Sequence, residues 1–251
     1  AFVAFSLCAS GVYLLNDMLD LPADRLHARK RRRPFASGAI PIAHGALLAP
    51  LLLLVSATMA LLISHIFAAT LMCYFIVTCL YSLWLKNQVV VDVLLLASLY
   101  TSRIIAGAAA TSIIPSFWLL AFSMFMFLSL AIVKRYSEML IVHRENKREA
   151  AGRGYLATDL PVLMSLGTAA GYIAIMVLAL YVNSPDISAM YPRRRALWLA
   201  LPLVLYWISR VWMKAHRGEL HDDPVVFAAT DRQTWLLVIV LACTVIAATM
   251  R

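Results

Sequence analysis

Charge is what this sequence has least of. Only 14% of its 251 residues are Asp, Glu, Lys or Arg, against about 25% in a soluble globular domain. Hydrophobic residues make up 63%, and the mean hydropathy is +0.82. Such a chain cannot wrap one core in a water-facing surface, which argues against soluble, disordered and nucleic-acid-binding classes together and for a polytopic membrane protein. Cysteine is scarce. Cys8, Cys73, Cys79 and Cys243 all sit in apolar runs, with no Cys-x-x-Cys and no His at ligand spacing, and read as small buried hydrophobes rather than metal ligands. No charged segment precedes the first apolar stretch, so no signal peptide is read. The chain opens with Ala1 already inside a span, and residues are expected before it. No Ser-His-Asp or Cys-His arrangement stands out, and no convincing internal repeat.

What is there is a series of apolar segments. A bilayer core asks for about 20 apolar residues in a helix. Eight candidates meet this: 1–15, 46–63, 66–85, 90–110, 115–133, 160–182, 196–213 and 235–250. They run almost end to end, so a single all-α membrane domain over 1–251 is expected. The connections alternate in character. Residues 16–45, 86–89, 134–159 and 214–234 fall on one side of the bilayer and carry sixteen of the 22 basic residues; the positive-inside rule makes that side cytoplasmic. The Arg193–Arg195 run lies on the other side and argues weakly against this. Twelve of the 13 acidic residues lie on or at the same face as the sixteen basic ones. The positive-inside rule does not account for that, and acids and bases gathered at one mouth of a helix bundle suggest a polar, metal-and-phosphate site.

The first cytoplasmic loop carries the sharpest signal: Asn16-Asp17-Met18-Leu19-Asp20-Leu21-Pro22-Ala23-Asp24-Arg25. On a helix Asp17, Asp20 and Asp24 stand at i, i+3 and i+7, hence on one face, with Asn16 and Asp20 at i, i+4. Three converging carboxylates repel one another unless a cation joins them. Hard oxygen donors suit Mg²⁺, usually held by one or two carboxylates plus substrate phosphates. A solvated acidic helix end is the plainer reading, and Pro22 kinks or ends the helix. Next comes Arg29-Lys30-Arg31-Arg32-Arg33-Pro34, then Ser37-Gly38. This run serves either as an anchor on anionic lipid or as a clamp on phosphate oxygens.

Asn16-Asp17-x-x-Asp20-x-x-x-Asp24 resembles the first aspartate-rich motif of the UbiA superfamily of intramembrane prenyltransferases, nine-helix bundles with that motif after the second helix. By that resemblance the first span here is the family's second helix, and its first is missing from this chain. The longer string through Ala23-Asp24-Arg25, His27, Lys30-Arg31, Arg33-Pro34 and Ala36-Ser37-Gly38 resembles a branch of that family, the decaprenyl-phosphate phosphoribosyltransferases of mycobacterial cell-wall synthesis. So do Tyr81-Ser82, Leu85-Lys86, Asp92-Val93, Arg103, Ala106-Gly107 and Lys134-Arg135 with Glu138. That branch moves phosphoribose from phosphoribosyl pyrophosphate to a polyprenyl phosphate.

The chain departs from the prenyltransferase pattern at the second aspartate motif. No Asp-x-x-x-Asp occurs in 134–159, which reads Lys134, Arg135 and Glu138, then Arg144 to Glu149, then Arg153, Tyr155 and Asp159. Glu145 and Glu149 are interleaved with bases, as in a solvated helix with internal ion pairs. Such a loop binds phosphate better than a second metal, and phosphoribosyl pyrophosphate with a phosphate acceptor is the larger anionic load. In the fourth of these spans Asp92 and Arg103 are eleven residues apart, about three turns, on one face. They form either a structural polar link between helices or a cavity wall that touches substrate. In the last loop, His216 to Asp223, an acidic cap is favoured over a His221–Asp222 metal site. Gly11, Gly107, Gly167 and Gly171 permit close helix approach.

The expectation is a Mg²⁺-dependent transferase of a bacterial-type inner membrane. Asp17, Asp20 and Asp24 hold the metal with Asn16 assisting. Arg25, Lys30, Arg31, Arg33, Lys86, Lys134 and Arg135 hold phosphate oxygens, and Asp92, Arg103, Glu138 and Tyr155 line the substrate. Donor and acceptor are phosphoribosyl pyrophosphate and a polyprenyl phosphate, the latter already an anion that needs no strong base. Prenyl transfer from a polyprenyl pyrophosphate to an aromatic or other acceptor, a cation-linked transporter and a non-catalytic scaffold are the alternatives.

Overall fold

The computed structural model describes residues 1–26, 30–145, 154–185, 187, 191–220 and 223–250. Ten α-helices are labelled here in chain order: α1 (Phe2–Leu19), α2 (Leu21–Leu26), α3 (Ile42–Ile63), α4 (His65–Leu83), α5 (Val91–Thr111), α6 (Phe117–Arg144), α7 (Leu160–Val182), α8 (Ala200–Arg217), α9 (Pro224–Thr230) and α10 (Arg232–Thr249). Short 3₁₀ turns at Lys30–Arg32, Leu85–Asn87, Ala157–Asp159 and Arg194–Leu199 complete the described elements. Eight helices are long and apolar enough to cross a membrane; α2 and α9 are the short exceptions. The architecture is that of an all-helical integral membrane protein, with the eight spans close to where hydropathy places them.

The side chains are distributed as lipid requires. On α3, Leu47, Leu51, Leu54, Leu61 and Leu62 are exposed, while the buried residues are Gly45, Ala49, Ser56 and Ala60. Lipid tails are as apolar as leucine, so large side chains gain nothing by turning inward, and small ones let helix backbones approach.

The described residues fall into two compact units. The first comprises residues 1–92 and 102–115, with α1 to α4 as its body. Here α1 and α3 meet through small residues. A Cβ on Gly11 would come within 3.0 Å of Leu53 and 3.2 Å of the Ala49 carbonyl oxygen, and the buried Ser56 hydroxyl donates to the Ala4 carbonyl at 2.6 Å. Ser64 caps α4 by accepting the Ile66 and Phe67 N–H groups, which makes α3 and α4 a tight hairpin.

The second unit comprises the described residues of 93–101, 116–145 and 154–250. Ser129 on α6 ties three helices together: its hydroxyl donates to the Gly167 carbonyl on α7 at 2.7 Å and accepts from the Trp212 indole on α8 at 3.0 Å. Gly167 and Gly171 leave room for Trp212 and Ile208. Gly107, expected to do the same, faces open space instead. Of the cysteines expected to be buried, Cys8 is, but Cys73 and Cys243 are exposed.

One boundary differs in a way that matters for function. The fifth span was expected to end at residue 133, with Lys134 opening a loop. Helix α6 instead runs on to Arg144. Its 28 residues make about 42 Å, longer than the roughly 30 Å hydrocarbon core. Tyr136 packs edge-on against Trp212 and bonds the His216 ring at 2.9 Å, and Met139 is fully buried. These contacts carry the helix past its first charges.

Candidate functional site

In the first unit, α1 ends inside the acidic motif, after Asn16 and Asp17. Leu19 is its last helical residue, and Asp20 takes an off-helix conformation before Pro22 and the short α2. Backbone bonds from Asp20 N–H to the Asn16 carbonyl and from Asp24 N–H to the Asp20 carbonyl carry the rotation across the break. Residues seven apart return to within about 20° of the same direction, whereas residues three apart stay about 60° short.

The carboxylates follow that arithmetic. Asp17 and Asp24 converge on one atom, Arg33 Nη1, at 2.9 and 2.8 Å. Asp20 turns aside, accepting Lys86 Nζ at 2.5 Å and the Asn16 amide at 3.2 Å. The expected trio is thus a pair plus one. Among the described residues, no three His, Cys, Asp or Glu side chains gather around a common point.

Phe35 sets the position of Arg33. Its ring is buried, and a Cβ on Gly45 would lie 2.7 Å from it, with Met18 sulfur at 2.9 Å on the same spot. The ring fills the space that this glycine leaves between α1 and α3. Beyond it the chain turns back through Ser37 N–H to the Arg33 carbonyl at 2.8 Å and through Gly38 at φ +78°. This anchored turn lays Arg33 across the two carboxylates.

Lys86 arrives from the turn after α4, which enters α5 through a strained residue. Val90 has φ +69°, and Val91 N–H bonds the Val89 carbonyl at 2.8 Å. That is the rare form of the three-residue turn, unfavourable for a β-branched side chain. Directly after it, Asp92 is wholly buried and accepts the Tyr81 hydroxyl at 2.8 Å. Arg103 does not pair with Asp92: three turns separate them, about 16 Å along the axis, and Arg103 lies against the Tyr74 hydroxyl. Arg25 and Arg31 are exposed. The Lys30 side chain, His27 and Arg29 lie outside the described residues.

The second unit holds its own cluster. Lys134 on α6 meets Asp223 at 2.5 Å, above a hollow lined by Leu96, Tyr100, Phe127 and Leu130. Tyr100 and Phe127 stack there with centroids 5.3 Å apart. Asp223 belongs to the segment expected as an acidic cap, and its pairing with Lys134 is what sequence reading missed; the two are 89 residues apart, and no local pattern links them. Arg135, expected on substrate phosphate, is buried on α6 and paired with Glu138 one turn on. Tyr155, also expected at substrate, is packed in the core with Met139 and Leu163. Residues 146–153 and His221–Asp222, which include Glu149, lie outside the described residues.

The first unit therefore places hard oxygen donors next to Arg33 and Lys86 at the end of a membrane helix. Two carboxylates share one positive atom, and such a pair could hold a divalent cation whose coordination phosphates complete. These features define a polytopic helical membrane protein with a cluster of paired acidic and basic side chains at the end of one span. The chain belongs to the UbiA prenyltransferase family, whose profile matches residues 1–237. It is 37% identical over 237 residues to the uncharacterized protein y4nM of Sinorhizobium fredii, covering 94% of this chain and 46% of that one, so it spans about half of that relative's length. It is 34% identical over 243 residues to the nodulation protein NoeC of Azorhizobium caulinodans, covering 96% of this chain and 79% of NoeC. Decaprenyl-phosphate phosphoribosyltransferase of Mycobacterium tuberculosis is 31% identical over 250 residues, 99% of this chain and 80% of that enzyme.

Proposed function

We propose that this family transferase moves 5-phosphoribose from phosphoribosyl pyrophosphate to a polyprenyl phosphate, releasing pyrophosphate at the cytoplasmic face of a bacterial-type inner membrane. The observation that carries the reading is the convergence of Asp17 and Asp24 on one cationic atom. The relation to a decaprenyl-phosphate phosphoribosyltransferase over nearly the whole chain supports this donor and acceptor.

Asp17 and Asp24 are the residues that would hold Mg²⁺, with Asp20 and Asn16 beside them. A divalent cation there supplies charge neutralisation for a departing pyrophosphate. Arg33 and Lys86 bind diphosphate oxygens from the same side, and as charge-assisted donors they orient the donor substrate. The bond from ribose C1 to the pyrophosphate oxygen breaks, and an acceptor phosphate oxygen forms the new bond to C1. That oxygen is already anionic near neutral pH, so no side chain has to remove a proton.

Purified full-length chain with Mg²⁺ is expected to release pyrophosphate from phosphoribosyl pyrophosphate only when a polyprenyl phosphate is present. Asp17→Asn and Asp24→Asn are expected to stop it. Release from a polyprenyl pyrophosphate with an aromatic acceptor, and none from phosphoribosyl pyrophosphate, would replace this reading with prenyl transfer.

A further inference from the structure

Arg33 occupies the place where Asp17 and Asp24 meet, and it does so in an unusual way. Both contacts, at 2.9 and 2.8 Å, are made by the single atom Nη1. A guanidinium holding a carboxylate firmly does so with two nitrogens in parallel. Here one nitrogen bridges two carboxylates from different residues, as a metal ion would. The Arg33 side chain is 38% exposed, against 29% for Asp17 and 4% for Asp24. The arginine is thus the most exposed of the three and the easiest to withdraw, and Asp24 is the fixed partner. Lys86 pairs with Asp20, so each of the three carboxylates has a cationic side chain beside it.

This arrangement makes an incoming cation compete with Arg33. A divalent ion alone must displace the guanidinium from the two carboxylates and brings it no anion in exchange. A metal arriving with a diphosphate meets a different situation. The carboxylates exchange Arg33 for the metal, and Arg33 exchanges the carboxylates for phosphate oxygens, a geometry to which its fork is matched. Every charged group then keeps an opposite partner. We propose that Arg33 is the positioning residue that makes metal binding to Asp17 and Asp24 conditional on the diphosphate: it blocks the seat in the free protein and becomes a phosphate ligand in the loaded one. The inference rests on the reading of Asp17 and Asp24 as the metal seat. The coupling is reciprocal, so each ligand strengthens the other by the same factor.

The test is direct binding of Mn²⁺, followed by electron paramagnetic resonance, to the full chain in detergent. Binding is measured without and with inorganic pyrophosphate, after allowing for metal–pyrophosphate association in solution. Wild type is expected to bind Mn²⁺ about tenfold more tightly when pyrophosphate is present, within the usual range of coupling between sites. Arg33→Gln is expected to bind Mn²⁺ alone several-fold more tightly than wild type and to lose most of the pyrophosphate effect. Arg33→Met, which also lacks the charge, serves as the second variant should the first not fold. Arg32→Gln removes the same charge from the exposed neighbour and is expected to change the affinity less than twofold. If Arg33→Gln and Arg33→Met bind Mn²⁺ no more tightly than wild type while Asp24→Asn abolishes binding, the seat stands and the role of Arg33 is overturned. An Arg32→Gln effect as large as that of Arg33→Gln also overturns it, since simple field strength then explains both. If neither Asp17→Asn nor Asp24→Asn alters Mn²⁺ binding, the metal seat itself is refuted, and this inference with it.

Discussion

Tyr81 donates its hydroxyl to Asp92 at 2.8 Å, and Asp92 is buried completely at the start of α5. A carboxylate withdrawn from water is tolerated only while its oxygens are satisfied. Tyr81→Phe removes a donor and leaves the volume unchanged, so it is expected to lower stability by about 1–3 kcal/mol. Thermal unfolding in detergent reads this. A melting curve that superimposes on wild type would mean that the bond contributes nothing net.

Gly167 and Gly107 make a matched pair of opposite sign. A Cβ at Gly167 would overlap the Trp212 ring and come within 2.8 Å of Ile132, whereas a Cβ at Gly107 meets nothing within 4 Å. Gly167→Ala must push α7 off its neighbours, or drag Trp212 from the Ser129 hydroxyl, and is expected to cost about 1–3 kcal/mol, as other overpacked sites do. Gly107→Ala adds a better helix former in open space and is expected to be neutral or to raise stability by up to about 1 kcal/mol. Both variants are read in the same unfolding assay. Equal effects would show that helix propensity, not contact with Trp212, governs these positions.

Local and distant causes divide the elements of this fold in the same way. The spans were legible because hydropathy is a local property, and the shared direction of Asp17 and Asp24 because seven residues nearly complete two turns. The end of α6 was not, because a run of charges at Lys134 and Arg135 looks like a membrane exit. It is overruled by Glu138 and by contacts from Trp212 and His216, more than seventy residues away. Asp20 illustrates the same limit within the site. Its spacing groups it with Asp17 and Asp24, yet Lys86, sixty-six residues on, draws it away. The basic run showed that a cation would lie near the acids; which one was decided by Phe35 finding the space over Gly45.

Asp231 gives a prediction in pH. It caps α10 by accepting the Thr234 N–H at 2.8 Å, and its two oxygens take both nitrogens of the Arg210 fork at 2.7 and 2.9 Å. The Arg210 hydrogen bonds, with smaller help from Thr234, hold its carboxyl well below the usual carboxylate range, against the opposing effect of burial. A carboxyl whose folded pKa is depressed contributes stability that is complete above its unfolded pKa, about 3.9, and drains away as the pH falls below that. Asp231→Asn is therefore expected to be less stable than wild type by about 3 kcal/mol at pH 7. The gap is expected to hold constant down to about pH 5 and to narrow below pH 4. Paired unfolding curves from pH 7 to pH 3 check this, and a gap that stays constant to pH 3 would assign the effect of Asp231→Asn to something other than charge.

Phe35 connects packing to the chemistry proposed for the site. Its ring is buried against Gly45 and Met18, two residues before it stands Arg33, and nothing in its own chemistry touches a phosphate. Phe35→Ala frees the turn from its anchor without replacing Asp17, Asp20, Asp24 or Arg33. A loosened Arg33 should still reach a diphosphate, but at the entropic cost of ordering the turn on binding. The expected outcome is a rise in KM for phosphoribosyl pyrophosphate of about tenfold, the equivalent of roughly 1.4 kcal/mol, with kcat much less affected. Phe35→Leu refills most of the space and is expected to recover most of the affinity. A general loss of folding would instead lower the active fraction, reducing apparent kcat with KM unchanged, and Phe35→Ala would then be a stability residue with no part in holding Arg33.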